Sequence, residues 1–192
     1  GKLHDVPVRY GVDTGPDFDA VCRSHAIDGT TLIQLHTEPE YLVTALGFVP
    51  GFPFLEGLPE TLETPRLSTP RRHVSAGSVG IGGSQTGIYP FETPGGWHLI
   101  GQTDTNLFNP INSPPALLQP GDRVRFHETD SVNMAPDFRA AITSECVTPK
   151  NITILQPGLM TTVQDLGRSG FRSSGVPSSG VADRVSAMLA NS

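Results

Sequence analysis

The sequence predicts a mainly β chain with two short helices and a C-terminal strand–loop–helix appendage. Three observations carry that expectation. The 192 residues include 21 glycines and 18 prolines, spread between short apolar runs, which favours strands and turns over helices. Hydrophobic content is 36% and charged content 17%, the balance of a globular chain rather than a disordered one. Helical spacing is confined to a few short stretches, and the length suffices to bury a core without disulfides or metal.

Taken in order, Gly1 to Asp5 reads as a linker or an artificial remnant. Val6 to Tyr10 alternates and reads as a strand. Asp17 to Ala26 places Phe18, Val21 and Cys22 at helical spacing, with Asp17 as the N-terminal cap. A second helix is expected over Thr30 to His36, capped by Thr30 or Thr31, with Leu32 and Leu35 inward. Tyr41 to Phe48 is apolar on both faces, as in a buried strand. From Pro50 to Gly121 dense Gly and Pro forbid long helices, and short strands are expected near Ser78–Gly82, Trp97–Gly101 and Arg123–Glu128. In the last, Val124 and Phe126 face one way and Arg123, Arg125 and His127 the other. Arg139 to Val147 and Asn151 to Leu155 read as further strands, the second beginning a new segment after Thr148-Pro149-Lys150. A Gly/Ser-rich loop then runs from Gly167 to Gly180, and a helix from about Val181 to Asn191 sets Val185, Met188 and Leu189 on one face. A strand, a loop and one helix bury little alone. That segment is expected to pack on the barrel or another chain, or to belong to a longer protein.

Net charge is −6, and no Lys/Arg run offsets it, so no nucleic-acid partner is expected. The densest basic cluster is Arg66, Arg71 and Arg72 beside His73. It reads either as a seat for a small anion or as solvated loop arginines. Cys22 and Cys146 are far apart and form no CxxC. No apolar stretch approaches membrane length and no leader is visible, so a cytoplasmic protein without a membrane partner is expected. Gly82 to Gly87 has the frame of a phosphate loop, but Ile88 and Tyr89 stand where Lys and Ser/Thr are needed. The dinucleotide pattern fails at Gln85, and Ala76 spoils a nucleophile elbow. His36-Thr37-Glu38 has no PCxxC to complete a deaminase. The scattered histidines form no HxxxH pair, so no metal site is expected.

Three segments stand out. In Gly47 to Leu55, Phe48, Phe52 and Phe54 lie beside Pro50 and Pro53; they make either a rigid apolar pocket wall or core plugs. In Gly77 to Pro90, glycines let backbone amides turn toward a carbonyl or carboxylate. Gln85, Thr86 and Tyr89 add neutral donors there, able to hold an amide or a developing oxyanion; the alternative is a tight barrel corner. In Pro94 to Thr103, His98 alternates with Trp97 and Leu99, so it is a general acid or base if its face lines a cleft, and a hydrogen-bonded structural histidine otherwise.

These segments, in this order, resemble the KipI family, also called allophanate hydrolase subunit 1 or the B-type subunit of 5-oxoprolinase. The likeness runs from Val6 to Val147 and includes Val6-Pro7-Val8-Arg9-Tyr10-Gly11, Pro16-Asp17-Phe18, Leu35-His36-Thr37, Thr69-Pro70-Arg71 and Pro120-Gly121-Asp122. Ser75-Ala76-Gly77 departs slightly from the family's Pro-Ala-Gly type step, and the family's N-terminal domain is expected to precede Val6. Residues 152–191 resemble the start of the KipA family, the C-type subunit (allophanate hydrolase subunit 2), through Leu155-Gln156-Pro157-Gly158 to Gly167-Arg168, Gly175-Val176-Pro177-Ser178-Ser179-Gly180 and Asp183-Arg184. The chain then divides into residues 1–148, the KipI-type domain, and residues 149–192, an N-terminal fragment of a KipA-type carboxyltransferase-like domain.

The resemblance implies a cyclophilin-like β-barrel, without isomerase activity, working in a multi-subunit assembly. Its partners would be the remainder of the KipA-type subunit and an A-type (LamB/YcsF) subunit. In the 5-oxoprolinase reading ATP phosphorylates a lactam carbonyl and water opens the ring to glutamate. ATP would act through the assembly, since no nucleotide motif is clear in this chain. Two alternatives are the carboxyltransferase of a urea carboxylase, with biotin as carboxyl carrier, and an inhibitor of a sporulation histidine kinase. In either amide chemistry the expected catalytic residues are Gln85, His98 and Asp165, with Asp183 as a second proton acceptor. Phe52, Pro53, Arg71, Gly82, Gly83, Thr86, Tyr89 and Arg168 are expected to bind a small amide or lactam. The isolated chain is expected to be inactive.

Overall fold

The structure is a computed structural model that describes residues 1–131 and 165–190. Nine strands are described: β1 (Leu3–Tyr10), β2 (Glu40–Leu46), β3 (Pro53–Glu56), β4 (Arg71–Val74), β5 (Ser78–Gly82), β6 (Gln85–Ile88), β7 (Thr93–Gly95), β8 (His98–Gln102) and β9 (Arg123–Glu128). Seven close a barrel in the order β1-β8-β5-β6-β3-β2-β9, and β4 pairs with β7 as a two-stranded flap. Two helices, α1 (Phe18–His25) and α2 (Gly29–Thr37), lie on the barrel, and α3 (Arg184–Ala190) lies near the C-terminus. The mainly β expectation agrees with this architecture. None of the described helices is long and apolar enough to cross a membrane.

Alternation drives the closure. In β9, Val124 and Phe126 are buried while Arg123, Arg125 and His127 are exposed. β1 runs parallel to it, with Val6 opposite Phe126, so one inward row continues across the seam. Phe18, Val21 and Cys22 of α1 and Leu32 of α2 add to the same core. Asp122 ties the seam at one end, accepting from the amides of Lys2 at 2.8 Å and Gln119 at 2.9 Å. Burial alone would raise its carboxyl pKa, but these amides and His4 outweigh it and hold the pKa below the ordinary value.

Several expectations are corrected. Leu3 to Asp5 are not linker: they pair with Arg123 to Arg125 in the parallel ladder. The Asp17 side chain does not cap α1; a guanidinium and a buried strand amide bind it instead. α2 is capped by Asp28, not Thr30 or Thr31. Asp28 keeps extended backbone and accepts from the Thr31 amide at 2.7 Å. β2 is buried on one face only, with Leu42 44% exposed, and Phe48 lies beyond its end. The expected strands at Arg139–Val147 and Asn151–Leu155 fall outside the described residues. The face of α3 is exposed at Val185, Met188 and Leu189, and the loop before it contacts the barrel: the Gly51 amide donates to the Ser174 carbonyl at 3.0 Å, and Val176 joins the barrel core.

Candidate binding cavity

A second apolar cluster, separate from the barrel core, forms from Phe52, Val74, Tyr89, Trp97 and Leu99, with Val49 and Phe54 against it. Phe52, 2% exposed, is its hub. Its ring lies edge-on to Phe54 and Tyr89 at 5.1 Å, Trp97 at 5.4 Å and Phe48 at 5.5 Å between centroids, the arrangement ring quadrupoles prefer. The glycines of the second segment make room for it. A Cβ on Gly82 would sit 2.6 Å from the Trp97 indole, and one on Gly87 would sit 3.0 Å from it. The indole therefore lies flat on the β5–β6 hairpin.

This cluster walls a cavity of about 210 Å³, lined by Phe48, Phe52, Phe54, Tyr89 and Trp97, by Leu67, Pro70, Gly95 and Gly96, and by Arg66. Phe48 reaches the mouth through a tight turn. The Val49 amide donates to the Gly47 carbonyl at 2.7 Å, and Phe48 has φ +65°, the strained hand of a γ-turn. Its ring is left 60% exposed. Burial raises the Tyr89 phenol pKa, offset by the Trp97 backbone and by Arg66 and Arg71, so the hydroxyl stays protonated near neutrality.

The structure brings some expected site residues together and separates others. Phe52 and Tyr89 line the cavity. Pro53 is buried at the start of β3. Gly82 lies under the indole, and the Gly83 amide is spent on the Thr64 carbonyl at 2.7 Å, so it meets no ligand. Gln85 pairs with Glu56 of the neighbouring strand β3 and does not line the cavity. Thr86 points into the barrel. His98 lies beside the wall, its Nε2 donating to the Pro65 carbonyl at 3.0 Å, while the buried Nδ1 has no partner among the described residues. Arg71 pairs with Asp17 at 2.5 Å and also reaches the Trp97 carbonyl. The other Asp17 oxygen accepts from the Leu99 amide at 2.7 Å. Arg71 thus lines a separate polar groove with Asp13, His73 and Ser78. Asp165 and Arg168 sit in the exposed C-terminal loop, where Asp165 accepts from the Gly167 amide at 2.7 Å. Asp183 caps α3 through the Val185 and Ser186 amides.

Two features lie outside the catalytic and amide-binding residues that the sequence predicts. One is Arg66, whose guanidinium stands 5.7 Å from the Trp97 ring centroid. Its only sequence signal was membership of the basic cluster. The other is the buried network around His36. Thr86 Oγ1 donates to the Gly80 carbonyl at 3.0 Å, so that hydroxyl must accept from His36 Nε2 at 2.9 Å. Nδ1 is then bare and accepts from the Tyr10 hydroxyl at 2.8 Å. His36 is completely buried and neutral, with its pKa lowered by burial to about 3.

Comparison with known proteins places this geometry among relatives. The family described as "Carboxyltransferase domain, subdomain C and D" matches residues 1–118. The B-type subunit of 5-oxoprolinase from Haemophilus influenzae is 53% identical over 126 residues, covering 66% of this chain and 59% of that protein. Its counterpart from Bacillus subtilis is 49% identical over 125 residues, covering 65% and 52%. The chain therefore spans between half and three-fifths of the length of these relatives. The conserved uncharacterized protein PH0987 from Pyrococcus horikoshii superposes with a TM-score of 0.66 at 46% identity, covering 68% of this chain and 61% of that one. The Kluyveromyces lactis urea carboxylase, at 22% identity and a TM-score of 0.53 over 67% of this chain and 14% of that one, shares the fold.

Proposed function

The chain belongs to the carboxyltransferase domain family, subdomain C and D, and on that premise we propose that it is the barrel of a B-type 5-oxoprolinase subunit, seating a small cyclic amide within a multi-subunit assembly. One observation carries the reading: the Phe/Pro segment and the end of the glycine segment converge, through Phe52 and Tyr89, on one aromatic cavity. At about 210 Å³ the cavity is smaller than sites for drug-sized ligands and suits a flat metabolite. Apolar walls keep water from both faces of such a ring, so polar contacts at its edge count for more. The 5-oxoprolinase relatives at about half identity support the same assembly over the urea carboxylase alternative, whose Emericella nidulans representative is 30% identical over 46% of this chain.

Within this reading the chain binds and the assembly reacts. No carboxylate, imidazole or thiol lines the cavity, and the Tyr89 phenol, its pKa raised by burial, stays protonated near neutrality. The residues do not fit ATP. The GxxxxG frame is the β5–β6 hairpin, its turn amide bound to Thr64, and no lysine follows. Nucleotide and bond-breaking chemistry is assigned to the A-type partner and the C-type portion. The KipA-like character of residues 149–192 belongs to the same proposal.

Reconstitution tests it. With the A-type partner and a complete C-type partner, ATP-dependent release of glutamate from 5-oxoproline is expected, and Phe48→Ala at the exposed mouth is expected to lower kcat/KM about ten-fold. Turnover of urea that requires bicarbonate and a biotinylated carrier, with none of 5-oxoproline, would replace the reading with the carboxyltransferase one. An unchanged kcat/KM for Phe48→Ala would move the ligand seat elsewhere.

A further inference from the structure

We propose that Arg66, rather than Arg71 or Arg168, is the anion anchor of the aromatic cavity, and that the site selects a flat ring bearing a carboxylate over the same ring without one. The inference rests on the cavity reading above and names what the cavity would discriminate. Three observations carry it.

The first is the state of the arginines. Arg71 is neutralised by Asp17, and Arg9, Arg123 and Arg125 have Asp13, Glu40 and Asp5 as counterions. Arg66 has no carboxylate within salt-bridge distance among the described residues; its guanidinium faces the indole of Trp97 instead. An arginine on an aromatic face keeps its in-plane N–H groups available for a carboxylate in the fork geometry. Arg168 lies in the C-terminal loop and does not line the cavity.

The second is that the backbone carrying Arg66 is fixed on both sides. Thr64 and Gly83 exchange both amide–carbonyl bonds, at 3.2 and 2.7 Å, and the Leu67 amide donates to the Gly96 carbonyl at 2.8 Å. His98 Nε2 holds the carbonyl of Pro65. Only the side chain of Arg66 needs ordering when a ligand binds, which lowers the entropic cost of forming the contact.

The third is the contrast inside the cavity. Every other lining side chain is apolar or aromatic, and Tyr89 stays neutral. One cation at the rim of an otherwise apolar slot orients a ligand with its anionic edge outward and its ring inward. A charge-assisted bond there distinguishes ligands more strongly than one in open water.

Trp97 is the only tryptophan, so its emission reports this cavity directly. The test is titration of the purified chain by Trp97 fluorescence and calorimetry, using 5-oxoproline and 2-pyrrolidinone, the same lactam ring without the carboxylate. Wild type is expected to bind 5-oxoproline at least about ten-fold more tightly than 2-pyrrolidinone. Arg66→Gln is expected to remove that preference while leaving 2-pyrrolidinone affinity within about two-fold, and Arg66→Lys, which keeps charge but loses the planar fork, to fall between. Arg66 is exposed, so unchanged thermal melts are expected for both variants, and the wild-type comparison needs no variant at all. Equal binding of the two probes by wild type, or equal loss of both in Arg66→Gln, overturns the anchor and leaves the cavity standing. If neither probe binds wild type, the cavity reading falls and the anchor with it.

Discussion

At the residue scale, His36 shows how the barrel tolerates a polar group at its centre. Its ring stacks on Phe126 with centroids 4.7 Å apart, and both nitrogens are satisfied, by Tyr10 and by Thr86. Thr86→Val keeps the shape but leaves the His36 Nε2–H without its acceptor; a loss of about 1–3 kcal/mol in urea unfolding is expected, whereas Thr86→Ser is expected to cost less than half of that. The sign of the pH effect follows from the shift. The folded pKa, about 3, lies below the ordinary value of 6.5, so between those values the unfolded chain binds a proton that the folded one refuses. Stability contributed by neutral His36 is therefore complete above pH 6.5 and declines as pH falls toward 3. His36→Gln is expected to flatten that part of the pH–stability curve, measured by urea midpoints; an unchanged slope would mean that His36 is not the group being titrated. None of this was legible in the sequence. The partners lie 26 and 50 residues away, and isolated letters do not reveal contacts made only by closing a barrel. Asp17 misled for a related reason. Its local cap signal lost to a guanidinium 54 residues away and to the Leu99 amide.

At the element scale, the glycine segment is first a platform. β5 pairs with β6 on one side and β8 on the other, so its hydrogen-bonding groups are drawn into the sheet, and its missing side chains let the indole settle. Gly82→Ala is expected to push Trp97 outward, shifting its emission to the red and costing about 1–3 kcal/mol of stability through overpacking. Gly83→Ala is the control. A Cβ there meets nothing within 4 Å, but φ is +69°, so it is expected to cost about 1 kcal/mol of backbone strain while leaving the emission unchanged. Equal spectral shifts in the two variants would deny the platform. Elements with a clear period were legible: Ser78–Gly82 and Arg123–Glu128 coincide with observed strands. Pro53–Glu56 and Gln85–Ile88, four residues each, are too short to show alternation and contain Pro or Gly. Their strand character comes from the neighbours they pair with.

At the scale of the whole molecule, the C-terminal turn and the cavity mouth are mechanically linked. The chain after the barrel returns to it as a single 3-10 turn, Arg172–Ser174, ending at Gly175. Ser174 is buried and accepts from the Gly51 amide. Gly175 has φ +74°, and a Cβ there would lie 3.1–3.2 Å from backbone atoms of Leu46, Gly47 and Val49, the segment that bends Phe48 into its strained turn. The segment at 165–180 therefore braces one wall of the cavity rather than trailing from the barrel. Its loop character was legible in the sequence but what it touches was not, because Gly/Ser-rich composition carries no address. Gly175→Ala is expected to lift this turn, through both steric crowding and an unfavourable φ. The readout is hydrogen exchange at Gly51, whose amide loses its acceptor. A rise of about ten-fold or more in its rate is expected, confined to residues 47–52 and without change in the amides of β5 and β9. Because Phe48 sits within that stretch, 5-oxoproline affinity is expected to fall in the same variant. An unaltered Gly51 rate in a folded Gly175→Ala protein would show that the brace does not hold the mouth, and the link between the C-terminal turn and the cavity would be lost.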